Sequence, residues 1–169
     1  MSKPNSIRFP LTDKMFEVAG ICATLVLLVL PFIYYRDLPD EIPTHFGFRG
    51  TPDGFGSKGS IWSLPIIGLL LYTGLTLLNY FVIVKTKLSP TEKDGDTLAR
   101  KNILRLMQML KLILSVSFAY ILWMTIQVAL GMSEGLGTWF LPTFLVLLTF
   151  LPIVFLLSVA GKSRKKLKS

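Results

Sequence analysis

Four long apolar runs separated by polar stretches set the pattern of this chain. Val18–Tyr35 holds 18 residues without a charge, Ile61–Val84 holds 24, Leu112–Leu130 holds 19 and Thr138–Gly161 holds 24. About 20 apolar residues, rising about 1.5 Å each, cross the roughly 30 Å hydrocarbon core of a bilayer. Lipid offers the backbone no hydrogen-bond partners, so each run reads as a helix. The pattern predicts an all-α membrane protein, a single membrane domain over residues 1–169. Its four transmembrane helices fall at about 16–35, 61–84, 97–130 and 138–161. An ordered extracytoplasmic loop, residues 36–60, joins helices 1 and 2.

Cap and turn residues mark the ends of these elements. Thr12 or Asp13 can cap helix 1, and Pro31 loosens its last turn. Ser60 or Ser63 can cap helix 2, with Pro65 in the first turn and Trp62 in an outer aromatic belt. Helix 3 opens amphipathically: Leu98, Ile103, Leu104, Leu106 and Leu110 are set against Arg100, Lys101, Arg105 and Lys111. That pattern predicts a membrane-surface segment. No charge falls near the middle of any helix, which argues against a proton-coupled pump. Residues 1–12 read as a polar arm and Ser89–Asp96 as a hydrophilic loop. Cys22, the sole cysteine, reads as a small packing residue inside helix 1.

Composition agrees, at 51% hydrophobic and a mean hydropathy of +0.58. The distribution of the +8 net charge says more than its size. Of 18 Lys and Arg residues, only Arg36, Arg49 and Lys58 lie on the side of the first loop. The other fifteen lie at both termini and around the loop between helices 2 and 3. Positive charge stays cytoplasmic, so both termini are expected inside and the 36–60 loop outside. The basic residues then serve as topology signals and lipid-headgroup contacts, and the bilayer is the expected partner. No nucleic-acid motif accompanies them, and no nucleic-acid partner is expected.

The first loop carries the candidate chemistry. Pro39 and Pro43 hold Leu38 and Ile42 extended, predicting a strand or extended arm over Ile42–Phe48. Ile42, Thr44, Phe46 and Phe48 then share one face, with Pro43, His45 and Gly47 on the other. Thr51-Pro52-Asp53-Gly54 has the composition of a turn. Such a turn would bring His45, Asp53 and Lys58 towards one outward site, with Phe46, Arg49 and Ser57 beside them as ligand-binding candidates. Phe46, Phe48 and Phe55 are expected to dock on the helix ends. His45 with Asp40, Glu41 and Asp53 could hold a metal, but the spacing lacks a recognisable three- or four-ligand pattern. Ser57, His45 and Asp53 lack a nucleophile elbow. No metal site, cofactor or catalytic residue is assigned.

The residues Leu38, Pro39, Ile42, Pro43, His45 and Phe46, followed by Gly50, Pro52, Asp53, Gly54, Gly56, Ser57 and Lys58, form a motif. It resembles the membrane domain of unknown function shared with the SdpI-type bacterial immunity proteins, over about residues 18–70. The resemblance implies a multi-pass protein of the bacterial cytoplasmic membrane. In the best-known members it implies protection against a secreted peptide toxin. The expectation is therefore a non-enzymatic binding or immunity-type protein whose partner is a peptide toxin or another membrane protein. The alternatives are a metal-dependent membrane enzyme centred on His45 and a small transport accessory subunit.

Overall fold

The structure is a computed structural model and describes residues 11–87 and 94–166. The polar arm, most of the 89–96 loop and the end of the basic tail lie outside the described residues. Four long helices are present: α1 (Leu11–Tyr34), α2 (Ser63–Lys87), α3 (Asp94–Ala129) and α4 (Phe140–Lys166). Each is long and apolar enough to cross a membrane, as a multi-pass membrane protein requires. Between α1 and α2 the chain forms β1 (Glu41–Phe46) and β2 (Pro52–Ser57), then a short 3-10 turn over Lys58–Trp62. The expectation of an all-α fold is thus corrected by one small antiparallel sheet.

Helix α3 is central. It packs on α1, α2 and α4, and its far end meets β1. Contacts at both ends fix the directions. Arg105 meets Asp13 and Trp123 meets Tyr34, so α1 and α3 run parallel. Tyr72 meets Glu17 and Trp62 meets Tyr35, so α2 runs back against them. Gly68 lets α2 approach closely, because a Cβ there would lie 2.5 Å from Leu27 Cδ2. Small residues at helix crossings serve this purpose in membranes.

The main apolar cluster lies at one end. Leu27, Leu30, Leu122 and Ile126 from α1 and α3 join Leu38 and Ile42 from the loop and Ile61 from the 3-10 turn. Tyr34, Tyr35 and Trp62 pack around them. Pro65 lies in the first turn of α2 and is fully buried. Cys22 is exposed on α1 rather than packed inside, because the face of α1 that meets α3 carries Gly20, Thr24 and Leu27 instead.

Candidate functional site

The loop motif builds a hairpin that is folded differently from its sequence reading. The turn is Gly47-Phe48-Arg49-Gly50, closed by the Gly50 amide donating to the Gly47 carbonyl at 2.8 Å. Gly50 has φ +79°, the left-handed conformation that follows a tight turn in three-residue hairpins. The expected turn at Thr51–Gly54 instead lies mostly within β2. Proline is tolerated as the first residue of a strand, which is where Pro52 sits. The ladder pairs Glu41 with Ser57, Ile42 with Gly56 and His45 with Gly54. Register shifts on both sides of His45 disturb the simple alternation, so Ile42 and Pro43 are both buried.

Two anchors hold the hairpin down. Leu38, Ile42 and Pro43 sink into the core at one end. At the other, Gly50 meets the α3–α4 connection: the Leu136 amide donates to the Gly50 carbonyl at 2.7 Å. A Cβ on Gly135 would lie 2.2 Å from that same carbonyl oxygen, so only glycine fits there. The aromatics do not provide the docking expected of them. Phe48 is 75% exposed, Phe55 is 56% exposed and Phe46 is half-buried. Aliphatic Leu38 and Ile42 fill the helix ends in their place.

The polar candidates separate into two places. His45 Nδ1 and Asp53 Oδ1 are 2.5 Å apart, both well exposed. Gly54 leaves room for this pair, since a Cβ there would lie 3.0 Å from His45 Cβ. Lys58 does not join them. It sits at the opposite end of β2, where its ammonium lies 3.0 Å from Asp40 and over the Tyr35 ring. The strand length between positions 53 and 58 keeps the two ion pairs apart, so the single three-residue site does not form. Arg49 is in the exposed turn, and Ser57 is exposed at the end of β2. Among the described residues no group of three or more His, Cys, Asp and Glu side chains comes together.

A second polar cluster was not foreseen. Lys111 is 3% exposed and donates to both carboxylate oxygens of Glu17 at 2.7 and 2.8 Å. The Tyr72 hydroxyl donates to Glu17 at 2.9 Å, and Arg105 donates to buried Asp13 at 2.8 Å. Arg105 and Lys111 therefore turn into the helix interface rather than outward to headgroups, and Asp13 is engaged by Arg105 rather than free as a cap. Helix α1 starts at Leu11, earlier than expected, so Asp13 lies within it as well as Glu17. The available signal was spacing: Asp13, Glu17 and Thr24 share one face of α1, as Arg105, Gln108, Lys111 and Ser115 share one face of α3.

These features define a multi-pass membrane protein with a docked β-hairpin at one end of its helices and a buried polar cluster at the other. Residues 22–69, from α1 through the hairpin into α2, match a family described as Domain of unknown function (DUF1648). An "Uncharacterized protein" of Archaeoglobus fulgidus is 40% identical over 60 residues. That alignment covers 34% of this chain and 33% of the archaeal protein. No solved structure matches the chain.

Proposed function

We propose that this chain is a non-enzymatic binding protein whose hairpin faces outward from a cytoplasmic membrane and recognises a peptide or another membrane protein. A toxin-immunity role is one form of that activity. The observation that carries the reading is the division of the hairpin into two faces. One is locked into the helix ends through Leu38 and Ile42; the other presents Phe48 and Phe55 beside the His45–Asp53 pair. Large exposed apolar side chains on a held scaffold are what an interaction site offers. A pre-formed hairpin also has little ordering entropy to lose on binding.

The orientation rests on the charge asymmetry. With Cys22 replaced, Thr51→Cys and Glu134→Cys are expected to label from outside in intact cells, while Lys93→Cys and Lys165→Cys are not. Photo-reactive residues at Phe48 and Phe55 test recognition in native cells. A discrete cross-linked species is expected at both positions and not at lipid-facing Leu70. Cross-links to lipid alone at all three positions would remove the recognition reading.

A further inference from the structure

The two strands of the hairpin are placed differently. β1 packs against α3 and the 3-10 turn as well as β2, while β2 makes its main contacts with β1 alone. The sheet has only these two strands, so the outer edge of β2 has no strand beside it. An unpaired edge offers a row of N–H and C=O groups to any extended chain. Proteins commonly blunt such edges with proline or charge, or by covering them. On β1, Pro43 has no N–H to offer and α3 packs on the strand. On β2 the only proline is Pro52, its first residue.

The ladder decides which backbone groups of β2 face outward. The Lys58 amide donates to the Asp40 carbonyl at 2.9 Å, and Gly56 stands opposite Ile42. Bonded and non-bonded pairs alternate along antiparallel strands, so Lys58 and Gly56 turn their backbone groups towards β1. Phe55 then turns its N–H and C=O to the open edge, and Ser57 turns its N–H there. Pro43 stands opposite Phe55, where the alternation asks β1 for no inward donor. Among the described residues no backbone hydrogen bond outside the ladder takes up the Phe55 and Ser57 groups.

Side chains alternate along β2 as well. Asp53, Phe55 and Ser57 are exposed, and Gly54 and Gly56 between them carry no side chain. Glu41 stands opposite Ser57, exposed and without an ion-pair partner among the described residues. Lys58 is already held by Asp40. The open strand therefore presents Phe55 between two carboxylates, Asp53 and Glu41. We infer, on the reading that the hairpin recognises a partner, that the outer edge of β2 takes an extended basic peptide segment as a third strand. The segment's backbone pairs with Phe55 and with the Ser57 amide. One apolar side chain of the segment lies beside Phe55, and Lys or Arg two positions to either side meets the two carboxylates. Main-chain bonds supply the affinity of such strand addition, and alternate side chains supply its specificity.

Amide exchange of the full chain in nanodiscs tests this, with the end-blocked peptide Thr-Lys-Thr-Val-Thr-Lys-Thr as probe. The sequence reads alike in both directions, so parallel and antiparallel addition present the same side chains. With peptide bound, the Phe55 and Ser57 amides are expected to exchange about tenfold more slowly or better, and the Gly56 amide, which already faces β1, to change little. Ser57→Pro removes a single outward N–H. Ser57 has φ −61° and ψ 149°, which proline adopts without strain, so the hairpin is expected to stay in place. The variant is expected to bind the peptide about tenfold more weakly at an unchanged thermal midpoint, while Ser57→Ala binds as the wild type does. Glutamate in place of both peptide lysines is expected to weaken binding by a similar factor. Absence of binding, binding without protection at Phe55 and Ser57, or binding that survives Ser57→Pro overturns strand addition. The cross-links at Phe48 and Phe55 then decide separately whether the hairpin recognises a partner. Equal binding of the glutamate peptide overturns the basic character of the segment. Protection of both amides without peptide, growing with the number of chains per disc, overturns the peptide in favour of a second copy of this chain.

Discussion

The two ends of the α1–α3 interface solve opposite problems with ion pairs of similar geometry. At the hairpin end the core is aliphatic, and the pairs His45–Asp53 and Lys58–Asp40 lie outside it, largely in solvent. At the other end the pair Lys111–Glu17 lies inside, with Lys111 almost wholly buried. An exposed pair gains little, because water screens each partner nearly as well as the other does. A buried pair has already lost its water, so removing one partner strands the other. The hairpin's charges therefore add little to the stability of the fold, while those of the buried cluster are bound into it.

The strongest way to break this comparison is to unpair the buried end. Glu17→Ala leaves Lys111 buried without a counter-charge and is expected to cost about 3–5 kcal/mol. The readout is a large fall in the thermal midpoint in detergent, with a matching loss of membrane-inserted protein. Glu17→Leu with Lys111→Met replaces both charges by apolar groups and is expected to recover most of that stability. A double variant as unstable as Glu17→Ala would show that the pair itself, rather than unpaired charge, holds the helices.

Truncation in the apolar end gives the next effect. Leu27→Ala removes a fully buried side chain at the meeting of α1, α2 and α3. The expected loss is about 2–5 kcal/mol, set by how far the site collapses. Gly135→Ala is expected to cost less, about 1–3 kcal/mol, by forcing the α3–α4 connection away from Gly50. Its distinctive sign is faster amide exchange at Gly50 and Leu136, whose hydrogen bond it breaks, with the helices unchanged.

How much of this was readable from sequence follows the same division. The four spans were legible because length and the absence of charge decide them alone. An extended segment over Ile42–Phe48 was legible from Pro39 and Pro43, although the strand itself ends at Phe46. The turn was not, because Thr51-Pro52-Asp53-Gly54 and Gly47-Phe48-Arg49-Gly50 both carry turn residues. Docking of Gly50 against Leu136, 86 positions away in sequence, goes with the second. Arg105 and Lys111 were misread for a related reason. Charges at the edge of an apolar run ordinarily reach out to headgroups, and only packing across more than 90 positions turns these two toward Asp13 and Glu17. Exposure of Phe48 and Phe55 likewise depends on tertiary packing, in which Leu38 and Ile42 fill the core.

The smallest effect on stability is expected where the proposed effect on function is largest. His45→Ala removes one partner of a pair that is mostly in solvent, and the loss should stay below about 1 kcal/mol. Asp53→Asn should behave alike, because no backbone hydrogen bond of the turn depends on its carboxylate: the turn is closed by Gly47, Gly50 and Thr51. If the outward face recognises a partner, both variants should insert normally, keep their thermal midpoint and lose the cross-links formed at Phe48 and Phe55. Lys58→Ala separates the two outer pairs. Lys58 holds Asp40 beside Tyr35 at the base of the hairpin, so its loss should leave those cross-links intact. Equal loss from Lys58→Ala and His45→Ala would place recognition over the whole hairpin rather than at its His45–Asp53 face. Full cross-linking in all three variants would leave the phenylalanines as the contact and the ion pairs as bystanders.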